Sequence, residues 1–229
     1  MKVIRNEKLI ERRGKLGRYT SLAALVILLI GMLISFFRPQ FIAVSFLCLL
    51  IGFVLSQVGI YYGNRFARID RPDEVLSRAL KGLDDKFTLY HYRTPTPHVL
   101  VGPDACYVLS VQQQGGKVSA HGSRWKQSLG WKWLFAWMGQ ESIGNPAKSA
   151  QFEAESLERF FGKQLPGVDV PVRPVVVFTN PAVELDVADT LVPVVHAKQL
   201  KDWVRAESKG EKLAVGARAD LVKFLSNGD

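Results

Sequence analysis

The densest set of side chains suited to chemistry lies in RWKQSLGWKWLFAWMGQ, residues 124–140, which holds four of the five tryptophans. Arg124, Trp125, Lys126, Trp131, Lys132 and Trp133 interleave cations with indole rings. That pattern suits anion contacts, with unpaired bases stacked on the rings and phosphates neutralised. It equally suits an interfacial segment among lipid headgroups, where Trp and Lys concentrate. Core packing is a third reading, because Trp131, Leu134, Phe135 and Met138 recur at helical spacing. A second polar group interrupts an apolar strand: Ser110 and Gln112, two apart, share one face, and Gln114 continues it. These side chains read as an exposed sheet face, as hydrogen-bonding replacements in a lost site, or as a pocket that holds a phosphate without cutting. His91, His98, His121 and His196 are dispersed. Cys106, among strand-forming apolar residues, is expected to be buried and inert. With Cys48 it makes a pair too sparse for a disulfide framework or a zinc knuckle. Gly-rich phosphate loops, His-x-Glu zinc signatures and Gly-x-Ser-x-Gly elbows do not occur.

The elements that must position these residues begin with the charge distribution. The 229 residues carry a net charge of +9, which invites nucleic acid or an anionic surface as partner. The first nineteen residues hold seven Lys/Arg against Glu7 and Glu11, and between Thr20 and Tyr62 the only charge is Arg38. Arg38 separates two apolar stretches, 20–37 and 41–62. As helices they reach roughly 27 and 33 Å at about 1.5 Å per residue, enough to cross a bilayer core. Pro39 breaks a helix where Arg38 would be too costly to bury in lipid. The expectation is a transmembrane helical hairpin, preceded by a basic segment, 1–19, and followed by a soluble domain, 64–229. A signal peptide does not fit, because no small-residue cleavage pattern follows and a second apolar span begins at once. Arg65, Arg68 and Arg71 follow the second span, so both termini and the soluble domain are expected in the cytoplasm. The soluble part retains 22 Lys+Arg against 19 Asp+Glu, so most of the excess charge flanks the membrane and points to anionic headgroups.

In the soluble part, Pro72-Asp73-Glu74 opens a helix expected to run to Leu83. Strands follow at 87–92, 99–101, 106–111 and 117–120, read as an antiparallel meander with turns at Gly102-Pro103-Asp104 and Gly115-Gly116. A helix is expected over 146–163, with Asn145 as its cap and Pro146 in its first position. The Val/Phe run 172–179 reads as a central buried strand, and 191–196 as another. Two closing helices, 199–206 and 217–225, complete an α/β sandwich with a mixed sheet.

The run TPHVLVGPDACYVLSVQQQGGK, ending at Lys117, followed by Trp125, Asn145-Pro146, Gln151 and Val175-Val176-Val177-Phe178-Thr179, resembles the nuclease-related domain (NERD) family over roughly residues 73–205. The resemblance implies a restriction-endonuclease-like fold, in which a helix Glu, a strand Asp and a Glu-x-Lys on the next strand hold a metal. Mg²⁺ takes carboxylate oxygens, and the lysine steadies the attacking water or the charge developing on phosphate. Carried over residue by residue, the helix acid falls at Glu74, the Asp-His pair at Pro97-His98, and Glu-x-Lys at Ser110-Val111-Gln112. Residues 105–140 contain no Asp or Glu, so no shift of register restores the carboxylates. The expectation is therefore a degenerate, non-cleaving domain, without cofactor, that acts as a binding or scaffold module. Two alternatives stand beside it: a divergent Mg²⁺-dependent nuclease recruiting Glu141, Glu153 or Asp186, and a nucleic-acid-binding protein that does not cut.

Overall fold

The computed structural model describes residues 1–68, 70–128, 143–168, 170–210, 213 and 215–227. They divide into two compact units, Glu7–Arg71 and the pair of segments Met1–Asn6 with Pro72–Asp229.

The unit Glu7–Arg71 is a helical hairpin. Helix α1 (Glu7–Phe37) and helix α2 (Ile42–Tyr62) are joined by a 3₁₀ turn, Pro39–Phe41, and a π-helical turn, Gly63–Ala67, follows. The helix breaks where expected: Arg38 leaves helical geometry at φ −140°, and Pro39, which lacks an N–H, opens the turn. Helix α1 extends further towards its N-terminus than the apolar stretch 20–37. Its basic residues are good helix formers, and Glu11 pairs with Lys15 one turn on at 2.7 Å. Both helices are long and apolar enough to cross a membrane. Only 11% and 6% of their most apolar windows are buried, unlike the core helices of a soluble protein. Small residues let the two backbones approach closely. A Cβ at Gly17 would lie 2.9 Å from the Gly63 nitrogen, and one at Gly31 would lie 2.7 Å from the Cys48 Cβ.

The second unit is an α/β domain with a mixed sheet. In chain order it comprises β1 (Lys2–Arg5), α3 (Pro72–Ala79), β2 (Thr88–His91), β3 (His98–Val101), β4 (Cys106–Gln112), β5 (Gly116–His121), β6 (Arg124–Ser128), α4 (Pro146–Gln164), β7 (Val172–Phe178), β8 (Val183–Ala188), β9 (Val194–His196), α5 (Leu200–Glu207) and α6 (Val215–Asn227). Among the described residues the larger sheet runs β1-β2-β3-β4-β7-β9. Strands β2, β3 and β4 form the antiparallel meander, whereas β1, β7 and β9 each lie parallel to a neighbour. One face buries Leu89, Leu100, Tyr107, Leu109 and Val177 against Leu76 of α3 and Leu200 and Val204 of α5. The opposite face buries Tyr90, Val99 and Val108 against Leu157 and Phe161 of α4 and Leu221 of α6. Strand β7 is buried from Val175 to Phe178, as its unbroken apolar run requires. Asn145 caps α4 by accepting a hydrogen bond from the Lys148 N–H at 3.1 Å.

Three features depart from the sequence reading. Strand β5 leaves the meander and pairs with β6 and β8 in a separate sheet of order β6-β5-β8. The chain turns away through Gly115-Gly116, with Gly116 at φ +83°, and the vacated edge of β4 is taken by the more apolar β7. Helix α3 stops at Ala79 rather than Leu83, although Leu80 and Leu83 remain buried, because Gly82 at φ +86° ends the turn. The basic segment 1–19 is divided between the units: Lys2–Arg5 form an edge strand parallel to β2, with Arg5 opposite His91, and the rest continues into α1.

Candidate functional site

The family-equivalent residues sit on β3, β4 and α3, and strand register decides which of them share a face. Val99 pairs with Val108, and both face α4 and α6. Ser110 and Gln112, two and four residues beyond Val108 on β4, share that face, while Pro97 lies in the bend just before β3. His98 has the opposite parity: it pairs with His91 on the face that carries Leu89 and Leu100 and packs on α3. The structure thus sets Ser110 and Gln112 on one side of the sheet and His98 on the other.

What lines the α4 face is neutral. Ser110 is 3% exposed and lies opposite Val176 of β7, so it is not an exposed sheet face, while Gln112 is half-buried beside Phe178. A hydroxyl and a carboxamide offer no anionic oxygen. They do not fit the Mg²⁺ that the family resemblance implies, since that ion is held through carboxylates. Among the described residues no three His, Cys, Asp or Glu side chains converge to hold a metal ion. Asp186, on β8, lies 3.9 Å from Lys117 on the small sheet. Glu153 lies on α4, and Glu141 lies outside the described residues. Glu74, half-buried on α3, is preceded by Asp73, which is fully buried.

On the α3 face is a buried polar chain that the sequence reading did not assemble. Arg5 of β1 donates to the Ser77 hydroxyl at 3.0 Å, and its Nε lies 3.7 Å from the Asp73 carboxylate. Ser77 donates its hydroxyl hydrogen to the Asp73 carbonyl at 2.6 Å and contacts His91 Nε2 at 3.0 Å. His91 Nδ1 in turn lies 2.8 Å from His98 Nδ1. A hydroxyl has one hydrogen, already given to Asp73, so His91 Nε2 carries the proton that Ser77 accepts. His91 Nδ1 is then an acceptor, and His98 Nδ1 the donor. Burial, with the adjoining His98 and then Arg5, holds His91 well below the ordinary histidine range, at about 2, so it is neutral. The signal was present in the sequence: two strands joined by a short connection place His91 and His98 across from one another.

The remaining candidates are structural by position. Cys106 is buried, and burial pushes its thiol well above the ordinary range. Asp104 is fully buried, accepting from the Tyr107 hydroxyl at 2.7 Å and from Arg173 at 3.0 Å, which ties its turn to β4 and β7. On β6, Arg124 and Lys126 are exposed, whereas Trp125 alternates to the inner side and packs against Val118 and Phe178 with other apolar residues. Trp131, Lys132 and Trp133 lie outside the described residues.

A mixed sheet with helices on both faces defines an α/β domain in which a meander is followed by a helix and a parallel strand. Residues 73–179 match the family model described as the nuclease-related domain. No curated protein and no solved structure matches the chain.

Proposed function

We propose that this chain is a two-pass integral membrane protein that presents a non-cleaving, restriction-endonuclease-like NERD domain to the cytoplasm as a binding or scaffold module. The observation that carries the reading is the substitution at the site: Pro97, Ser110 and Gln112 stand where the family resemblance calls for Asp, Glu and Lys. The order of α3, the β2–β4 meander, α4 and the parallel β7 supports the fold assignment. Membrane anchoring is supported by the length, composition and exposure of α1 and α2. Strand β1 precedes both helices and β2 follows them, yet the two pair in one sheet. A chain that crosses a bilayer twice returns to the side it left, as that pairing requires. The cytoplasmic side is favoured by the cations at 2–18 and 65–71, which also suit anionic headgroups.

The test uses the full chain in detergent, because cutting at residue 64 would remove β1 from the sheet. Incubation with single- and double-stranded DNA and RNA, with Mg²⁺ or Mn²⁺, is expected to yield no products above a metal-free control. Metal-dependent cleavage that Glu74→Ala abolishes would establish the divergent nuclease instead.

A further inference from the structure

The small sheet carries a charge pattern that the reading above does not use. Register aligns three rows across β6, β5 and β8: Ser128, Lys117 and Glu184; then Lys126, Ser119 and Asp186; then Arg124, His121 and Ala188. These residues occupy the sheet's outer face, while Val118, Ala120, Trp125 and Leu185 turn inward. One edge strand, β6, therefore presents Arg124 and Lys126, and the other, β8, presents Glu184 and Asp186. Among the described residues neither strand has a neighbour on its outer side. Among the described residues, each therefore keeps a row of backbone N–H and C=O groups available for pairing.

We propose that β6 of one copy pairs antiparallel with β8 of a second copy, joining the small sheets head to tail. Direction permits it. Strand β6 runs antiparallel to β5 and β8 parallel to it, so a second copy placed in continuation sets its β6 antiparallel to the first copy's β8. The inward faces match as well, with Trp125 and Gln127 beside Leu185 and Val187. Charge selects this pairing over the others: β6 on β6 sets cations opposite cations, and β8 on β8 sets carboxylates opposite carboxylates, which is unfavourable for directly facing residues. Strand β6 on β8 sets Lys126 opposite Asp186, with Arg124 and Glu184 one row to either side of that pair. Within one copy the nearest competitor is the Lys117–Asp186 pair at 3.9 Å, whose side chains are 59% and 53% exposed. Such exposed pairs are weak, so Asp186 is readily shared. The acidic strand also argues against nucleic acid here, since Glu184 and Asp186 share the face with Arg124 and Lys126. The contact is heterologous: each copy keeps one edge of each kind, so growth closes into a ring or continues as a row. This inference is independent of whether the Ser110 face cuts, and its readout is mass rather than cleavage.

The test compares the full chain in detergent at low salt with two charge-reversed variants, Arg124→Glu/Lys126→Glu and Glu184→Lys/Asp186→Lys. Light scattering with size exclusion is expected to show the unaltered chain at twice the monomer mass or more, falling as salt rises. Each variant alone is expected to be monomeric, and an equimolar mixture of the two to regain association. Circular dichroism and melting establish that the variants fold. A second measurement uses the Cys48→Ala background, mixing Lys126→Cys with Asp186→Cys in vesicles; crosslinks between positions 126 and 186 are expected. A monomeric unaltered chain, assembly insensitive to both reversals, no recovery on mixing, or crosslinks confined to like positions would overturn the proposal. So would a monomer that binds a DNA or RNA oligonucleotide salt-dependently through Arg124 and Lys126.

Discussion

Burial of His91, with His98 and then Arg5 beside it, keeps the ring neutral and makes the domain sensitive to acid. His91 has a folded pKa of about 2, below its ordinary value of 6.5. The unfolded chain therefore binds the extra proton first. The stability that the neutral ring contributes is complete above about pH 6.5 and is lost progressively as pH falls towards 2. One proton corresponds to about 1.4 kcal/mol per pH unit, so lowering pH from 6.5 to 5 is expected to cost roughly 2 kcal/mol. Denaturant midpoints across that range check it, with His91→Gln expected to flatten the slope. Arg5 belongs to the same chain of contacts. Arg5→Ala removes a donor from Ser77 and a cation from beside the buried Asp73 carboxylate, and is expected to destabilise by about 1–3 kcal/mol. A melting temperature unchanged by Arg5→Ala would mean that strand β1 is held without it.

At the scale of elements, the hairpin depends on contacts too close for side chains. A Cβ on Gly59 would collide with the Ser21 hydroxyl and lie 2.9 Å from the Ser21 nitrogen. Gly59→Leu is therefore expected to force α1 and α2 apart and to lower the melting temperature in detergent by several degrees. Gly63→Ala, where an added Cβ meets nothing within 4 Å, is the matched control and is expected to be near neutral. Strands β6 and β8 were not among the expected elements, although Val-Glu-Leu-Asp-Val-Ala of β8 alternates with period two. Nor was strand β1, because four residues in a basic stretch carry too little apolar pattern to signal a strand whose partner lies more than eighty residues on. The end of α3 was misjudged for a different reason: Leu80 and Leu83 continue the apolar spacing and are buried, but from a turn.

For the whole molecule, the proposed two-pass arrangement puts both flanks of the hairpin on one side of the bilayer and its turn on the other. Cysteines introduced at Lys8 and Asp220 are expected to react with a membrane-impermeant maleimide from the cytoplasmic face of sealed vesicles, and one at Gln40 from the opposite face. Reaction of Lys8→Cys and Asp220→Cys from opposite faces would contradict the two-pass reading.

The sequence by itself determined the features that are one-dimensional. Apolar length and a helix-breaking proline are local properties, so the two long apolar helices and the break at Arg38-Pro39 could be found by counting. A missing carboxylate is likewise visible without coordinates, because no fold supplies acids from the acid-free stretch 105–140. Tertiary structure decided the features that depend on pairing. Side chains alternate faces along a strand, so one residue of register separates His98 from the face of Ser110. Only the assembled sheet shows His91 against His98, β1 beside β2, and a basic strand and an acidic strand at opposite edges of the small sheet.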